Sequence, residues 1–189
     1  LPGGCSGAPG SFTVSVNTSP APITGSFQVC QGSNTTLFDI TGGGTWSSSV
    51  PAIAPITSGG VVTGLTAGIS TITYSLGAGC YSTQVITVNP LPGSISGPGV
   101  VCAGSSITLT CTGGGAWSSS TTTVATVGSV TGIVSGVSAG TTTISYTLGT
   151  TCYKTKVITV NPLPAPISGG LQICQGATTT LIDATPGGT

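Results

Sequence analysis

Two stretches of similar sequence decide the fold: "TWSSSVPAIAPITSGGVVTGLTAGISTITYSL" (residues 45–76) and "AWSSSTTTVATVGSVTGIVSGVSAGTTTISYTL" (residues 116–148). Apolar and hydroxyl side chains alternate in the last residues of the first stretch. The apolar positions are Ile72, Tyr74 and Leu76, and the hydroxyl positions between them are Thr71, Thr73 and Ser75. A period of two places these two sets on opposite faces of a β-strand. Each stretch therefore predicts a strand that is buried on one face only.

The stretches belong to a repeat of about 72 residues. Cys30, Cys102 and Cys174 are 72 residues apart twice (102 − 30 and 174 − 102), and Cys80 and Cys152 have the same spacing. A fixed period of this length is typical of tandem arrays of structural units. We expect the sequence to be a segment of a longer array. Its predicted parts are the end of one repeat (1–17), two whole repeats (18–89 and 90–161) and the start of another (162–189).

The rest of each repeat also has the pattern of short strands separated by Gly and Pro. In the first whole repeat the predicted strands are "TTLFDI", "TWSS", "AIAPI", "GVVTGL", "ISTITYSL" and "STQVITV". The motif "VNPLP" ends the last strand, because proline has no N–H to donate to a sheet. Many short strands with frequent turns predict an all-β sandwich, and no helical period is visible in the sequence.

Charge is almost absent, and this excludes several classes of function. The charged side chains are Lys154, Lys156, Asp39 and Asp183. No basic patch is available to bind nucleic acid, and no run of 18 apolar residues predicts insertion into a membrane. An uncharged surface also lacks the repulsion that keeps copies of a protein apart. The composition therefore favours a partner that is a second copy of the same protein.

Catalysis and metal binding are disfavoured by the same composition. The chain has no His, Glu or Arg, and its two Asp residues lie in different repeats. An acid/base pair or a zinc or calcium site needs several such side chains close together. We expect no enzyme activity, no cofactor site and no metal site. Asp39 and Asp183 are predicted to cap the turns that follow them.

The motifs around the first tryptophan resemble those of a known family. Trp46-Ser-Ser, Gly-Val-Val-Thr-Gly at 60–64 and Ala67-Gly68 are similar to the bacterial immunoglobulin-like (Ig-like) domains of the group-2 type, and the second repeat shows the same pattern from Trp117. The flanking "VNPLP" resembles arrays in secreted proteins of Bacteroidota-type bacteria. The resemblance implies tandem Ig-like β-sandwiches in an extracellular or cell-surface protein, where such modules form stalks of adhesins.

Cysteine is the strongest chemical signal in the chain. Seven cysteines in small β-repeats are typical of a protein from an oxidising compartment. The simplest pairing gives one disulfide for each repeat, Cys30–Cys80 and Cys102–Cys152. If the two cysteines of a repeat lie at opposite ends of the sandwich, Cys30 would instead reach forward to Cys152 and link neighbouring repeats. Sequence alone does not fix the connectivity.

The remaining cysteines have separate predictions. Cys5 and Cys174 are expected to pair with cysteines outside this sequence. Cys111 stands where the other repeats have Asp39 and Asp183. It lies two residues after Leu109 and four after Ile107, so it is expected on the same face of the strand as these apolar residues. We therefore expect Cys111 to be a buried, inert free thiol.

The aromatic residues are predicted to be structural. A single Trp at the start of such a strand usually packs in the core, so Trp46 and Trp117 are core candidates together with Tyr74 and Tyr146. The sequence thus favours a structural protein, an extracellular filament of repeats that pack against copies of themselves. The alternatives are the stalk of an adhesin and a carbohydrate-binding module with glycans as partners.

Overall fold

The computed structural model describes residues 10, 16–170 and 172–184. The chain divides into two compact units, Leu1–Pro90 and Leu91–Thr189. The regular structure of the described residues is entirely β, as the alternating pattern predicts. None of these residues forms a helix long and apolar enough to cross a membrane.

Seven strands form the first unit. They are β1 (Thr24–Gly25), β2 (Gln28–Cys30), β3 (Asn34–Phe38), β4 (Thr45–Ser48), β5 (Val61–Thr63), β6 (Gly68–Gly77) and β7 (Cys80–Asn89). One sheet has the order β1-β3-β5, and the other has the order β2-β7-β6-β4. All neighbours are antiparallel except β2 and β7, which run parallel.

The second unit repeats this plan. Its strands are β8 (Val100–Cys102), β9 (Ser106–Thr108), β10 (Ala116–Ser119), β11 (Ala125–Val127), β12 (Ile133–Gly136), β13 (Gly140–Thr147) and β14 (Tyr153–Asn161), followed by the short pair β15 (Ser168–Gly169) and β16 (Leu181–Ile182). The four-stranded sheet has the order β10-β13-β14-β8 and the three-stranded sheet β11-β12-β9. Strand β8 is parallel to β14, as β2 is to β7.

Each unit has its core between its two sheets. In the first unit Leu37 and Val62 of one sheet and Ile72 and Ile86 of the other are almost fully buried. The equivalent buried residues of the second unit are Leu109, Val134, Ile144 and Ile158. Burying a side chain of this size contributes about 1.5–3 kcal/mol. The predicted all-β sandwich is therefore confirmed.

One predicted strand is wrong in the first unit. "AIAPI" forms a turn followed by a single bridge from Ile56 to Val62. In the second unit the same position is the regular strand β11. The difference follows from proline, because Pro55 has no N–H to donate where the second unit has Thr126.

Proline also ends the last strand of each unit, as predicted. Strand β7 stops at Asn89 and β14 stops at Asn161, and each is followed directly by a proline. The two units therefore release the chain at the same end of the same sheet. We call this end the exit pole, and the opposite end, where the β6–β7 or β13–β14 hairpin turns, the hairpin pole.

Candidate functional site

Two cysteines of the first unit lie at opposite poles. Cys30 ends β2 and is paired with Asn89 at the end of β7, whereas Cys80 begins β7. Nine residue steps separate Cys80 from Asn89, which is about 30 Å at 3.3 Å per residue. A disulfide requires Cα atoms within about 7 Å. Cys30 and Cys80 therefore cannot bond within one folded unit.

The second unit has the same arrangement. Cys102 ends β8 and is paired with Asn161 at the exit pole. Cys152 lies in the turn before β14, where its carbonyl accepts a hydrogen bond of 2.8 Å from the N–H of Leu148. The length of β14 again separates the two cysteines. Each unit thus carries one cysteine at each pole.

The bonding state of the cysteines corrects the predicted pairing. Cys30 and Cys152 are disulfide-bonded, whereas Cys80 and Cys102 carry free thiols. The predicted pairs Cys30–Cys80 and Cys102–Cys152 are therefore wrong, because each contains a free thiol and spans the length of a strand. The thiol of Cys174 is exposed and free.

The prediction for Cys5 falls outside the described residues.

Cys111 has no counterpart cysteine in the first unit, where the equivalent residue is Asp39. Its Sγ donates to the carbonyl oxygen of Gly93 at 3.2 Å, and the thiol is free. Burial raises the pKa of Cys111, although a hydrogen bond with the Thr112 backbone acts in the opposite direction. A raised pKa leaves less thiolate, which is the nucleophilic form. We therefore expect Cys111 to react slowly with alkylating reagents.

Asp39 occupies the equivalent position in the first unit. Its Oδ1 accepts a hydrogen bond of 2.8 Å from the N–H of Thr41, which fixes the turn after β3. Such a turn is the usual use of an Asp side chain before a glycine-rich loop. The described residues bring no three His, Cys, Asp or Glu side chains together as metal ligands.

The aromatic residues form one pair in each unit. The rings of Trp46 and Tyr74 have centroids 4.6 Å apart, and Trp117 and Tyr146 have the same separation. Tyr74, Tyr146 and Trp117 are buried, and Trp46 is half-buried against the core. The two rings of each pair are inclined to each other by 50° in the first unit and 55° in the second, and they pack with the core residues of their unit.

The tyrosine hydroxyl of each aromatic pair also forms a hydrogen bond with the backbone. Tyr74 accepts a hydrogen bond of 2.8 Å from the N–H of Gly44, and Tyr146 accepts one of 2.6 Å from the N–H of Gly115. Both glycines stand directly before the strand that carries the tryptophan. The phenol therefore ties the start of that strand to the middle of the sheet.

The four-stranded sheet of each unit has one face that points away from the core. We define this outward face by the directly opposed residue pairs of the two long strands. In the first unit they are Ile69 with Thr87, Thr71 with Val85, Thr73 with Thr83, and Ser75 with Tyr81. In the second unit they are Thr141 with Thr159, Thr143 with Val157, Ser145 with Thr155, and Thr147 with Tyr153. The two faces are nearly identical and carry no charge.

The lysines do not interrupt this face. Lys154 and Lys156 are on β14, but they alternate with the outward positions Tyr153, Thr155 and Val157. The Nζ of Lys156 donates to the carbonyl oxygen of Gly97 at 2.7 Å. Both lysine side chains therefore leave β14 on the side opposite to the outward face.

Comparisons with known proteins identify the fold. No protein-family model matches the sequence, and no curated protein matches it. The C-terminal 282-residue fragment of intimin, solved in complex with the intimin-binding domain of the translocated intimin receptor, has 18% identity and a TM-score of 0.51. The match covers 78% of this chain and 67% of the intimin chain.

Invasin, a bacterial integrin-binding protein, has 18% identity and a TM-score of 0.50 over 82% of this chain and 43% of its own. Domains 4 and 5 of the S-layer protein SbsC have 20% identity and a TM-score of 0.36, with coverage of 76% and 99%. The likeness to intimin and invasin shows an Ig-like sandwich, which confirms the predicted fold.

Proposed function

We propose that this chain is a non-catalytic structural segment of an extracellular or cell-surface bacterial protein, whose Ig-like units pack side by side against copies of themselves. One observation carries the proposal: both units present the same charge-free outward face. Most side chains on the face carry a hydroxyl, a few are apolar or aromatic, and Tyr81 (61%) and Val85 (50%) are exposed within it.

Physical chemistry favours contact between two such faces. Moving a charge out of water costs several kcal/mol, whereas a hydroxyl is both a donor and an acceptor and can pair with another hydroxyl. Two Thr-rich faces can therefore meet without leaving an unpaired ion. The β-branched side chains of Thr and Val also lose little freedom when they are packed, because their rotamers are already restricted.

The area of the face determines how many units must take part. Strands β6 and β7 have 10 residues each, but β4 has four and β2 has three. At about 3.3 Å per residue and about 4.8 Å per strand the face covers about 400 Å², less than the roughly 800 Å² per partner of a stable interface. Two units offer about 800 Å² in total. Association therefore depends on several repeats in one chain, which is what the tandem sequence supplies.

Sedimentation velocity tests the proposal. The chain is compared in reducing buffer with a variant carrying Thr83→Glu and Thr155→Glu, which places one charge on each outward face. Ser58→Glu with Ser129→Glu is the matched control, because these exposed serines lie in turns of the other sheet. We expect the wild type and the control to associate with rising concentration and the outward-face variant to stay monomeric. Equal sedimentation of all three proteins would overturn lateral packing.

The stalk of an adhesin is the second candidate function. The likeness to intimin and invasin favours it, because intimin was solved with a receptor domain and invasin binds integrin. Electron microscopy of the native secreted material separates the two functions. Filaments of constant width would support self-packing. Single thin strings that end in a distinct knob would identify a stalk instead.

A further inference from the structure

We propose that Cys80 and Cys102 are half-cystines that join this chain end to end to other repeats of the same kind. The exit-pole cysteine of one repeat bonds to the hairpin-pole cysteine of another. This inference deepens the proposed structural role and rests on it, since it names the covalent partner of each unit as a further repeat. The repeats would then form a line that is cross-linked at every junction.

The first argument is geometric. Within a unit the exit-pole and hairpin-pole cysteines are separated by the length of the last strand, about 30 Å, so oxidation cannot close a loop inside one repeat. A cysteine at one pole therefore cannot bond to the cysteine at the other pole of its own unit. Cys80 and Cys102 have this property in common with Cys30 and Cys152.

The second argument is that the equivalent positions are bonded in this structure. Cys30 is the exit-pole residue of the first unit and Cys152 the hairpin-pole residue of the second, and both are disulfide-bonded. Cys102 is the counterpart of Cys30, and Cys80 is the counterpart of Cys152. Of the two bonded residues, one is an exit-pole cysteine and the other is a hairpin-pole cysteine. This fits a disulfide that joins an exit pole to a hairpin pole.

The local backbone at the exit pole is the same in both units. The carbonyl of Cys30 accepts a hydrogen bond of 2.9 Å from the N–H of Ser33, and that of Cys102 accepts one of 3.0 Å from Ser105. The N–H of the following residue, Gln31 or Ala103, donates to the carbonyl oxygen of the asparagine that ends the last strand, at 2.9 Å in each unit. The turn that presents a bonded sulfur in the first unit therefore presents a free one in the second.

The free pole cysteines differ from Cys111 in their position in the unit, although Cys80 and Cys111 are both half-buried. Cys102 is exposed and Cys80 is half-buried at the edge of a hairpin. Cys111 is tied to the carbonyl of Gly93, and its pKa is raised by burial. The chain therefore contains its own control, a free cysteine that the proposal does not include.

The bond forms by thiol–disulfide exchange. The thiolate of one pole cysteine attacks a low-molecular-weight disulfide such as oxidised glutathione, and one glutathione thiolate leaves. The thiolate of the other cysteine then attacks the protein sulfur of this mixed disulfide and releases the second glutathione. The two cysteines lose two electrons and two protons, and one oxidised glutathione becomes two reduced molecules.

The test uses the chain with Cys5→Ser and Cys174→Ser, so that the free thiols are those of Cys80, Cys102 and Cys111. It is incubated in a glutathione redox buffer, alkylated and run on a non-reducing gel. Pepsin digestion at acid pH, where exchange stops, then locates the bonds by mass spectrometry. We expect a ladder of oligomers joined mainly by Cys80–Cys102 bonds. Adding Cys80→Ser or Cys102→Ser should reduce the ladder to dimers at most, whereas Cys111→Ser should leave it unchanged.

Two results would overturn the proposal. One is a chain that stays monomeric, with Cys80 and Cys102 both alkylated. The other is a mixture in which Cys80–Cys80 and Cys102–Cys102 bonds are as frequent as Cys80–Cys102 bonds, because chance collision would give that mixture. Lateral packing is measured separately in reducing buffer, so either conclusion can fail without the other.

Discussion

Replacing Tyr74 with Phe should destabilise the first unit although it keeps the ring in the core. The phenol oxygen of Tyr74 accepts the N–H of Gly44 at 2.8 Å, at the start of the strand that carries Trp46. The ring lies directly against Gly44, where an added Cβ would overlap the ring atoms. The aromatic contact survives in the variant, and only the hydrogen bond is lost.

The size of the effect follows from this geometry. A hydrogen bond contributes about 1 kcal/mol net, and a buried donor left without an acceptor adds about 1–3 kcal/mol. Gly44 is half-buried, so water replaces part of the lost bond, and we expect a loss of about 1–2 kcal/mol. In a domain of 60–100 residues each kcal/mol shifts the melting temperature by about 4–8 °C.

The assay uses the single tryptophan of each unit as its reporter. In a Trp117→Phe background, the fluorescence of Trp46 follows urea unfolding of the first unit alone. Tyr74→Phe is compared there with Tyr81→Phe, a control that removes an exposed phenol. The same experiment with Tyr146→Phe in a Trp46→Phe background should give a similar loss in the second unit.

The reasoning would be refuted by a small effect. If Tyr74→Phe costs no more than Tyr81→Phe, the hydrogen bond to Gly44 contributes nothing beyond what water supplies. A change in the slope of the unfolding curve without a change in its midpoint would instead indicate an altered unfolded state. Only a shifted midpoint at constant slope supports the assigned role of the phenol.

Three further predictions test the core, the turns and the thiol. Gly60→Ala should cost more than 2 kcal/mol by urea unfolding, because the residue has φ +79° and its Cβ would meet the carbonyl oxygen of Leu37. Gly32→Ala, with φ +81° and open space around it, should cost only about 1–2 kcal/mol. Ile72→Ala should remove about 2–5 kcal/mol, since the side chain is fully buried. Alkylation of Cys111 should reach its half-maximal rate at a higher pH than that of an exposed cysteine, because burial raises its pKa, and the difference should vanish in urea.

The strands were predictable where one face is buried along the whole length. In β6 the alternation of Ile72 and Tyr74 with Thr71 and Thr73 fixes both the strand and its outer side. The same logic failed for the segment containing Pro55, where the pattern is apolar but the donor is missing. The failure is local, because the second unit keeps a regular strand at that place.

The cysteine bonding was not predictable, for a different reason. Whether Cys30 can reach Cys80 depends on β2 running parallel to β7 and ending beside Asn89. A strand of three residues carries too little sequence to indicate its partner or its direction. For the outward face, the residues of β6 could be predicted from the sequence, but their partners on β7 could not. Alternation identified its residues on β6, but only the register of β6 with β7 brings Val85 opposite Thr71.

The poles and the outward face are different surfaces of the same unit, and their proposed roles support each other. One face of about 400 Å² gives weak association, and its strength grows only when several faces act together. Joining repeats covalently raises the effective concentration of each further face once the first has bound, which can increase avidity by 10²–10⁴. Reducing the pole disulfides should therefore weaken lateral assembly, even though no cysteine belongs to the opposed pairs of the outward face. Sedimentation of oxidised material before and after mild reduction measures this coupling, and lateral assembly of unchanged strength would show that the two surfaces act independently.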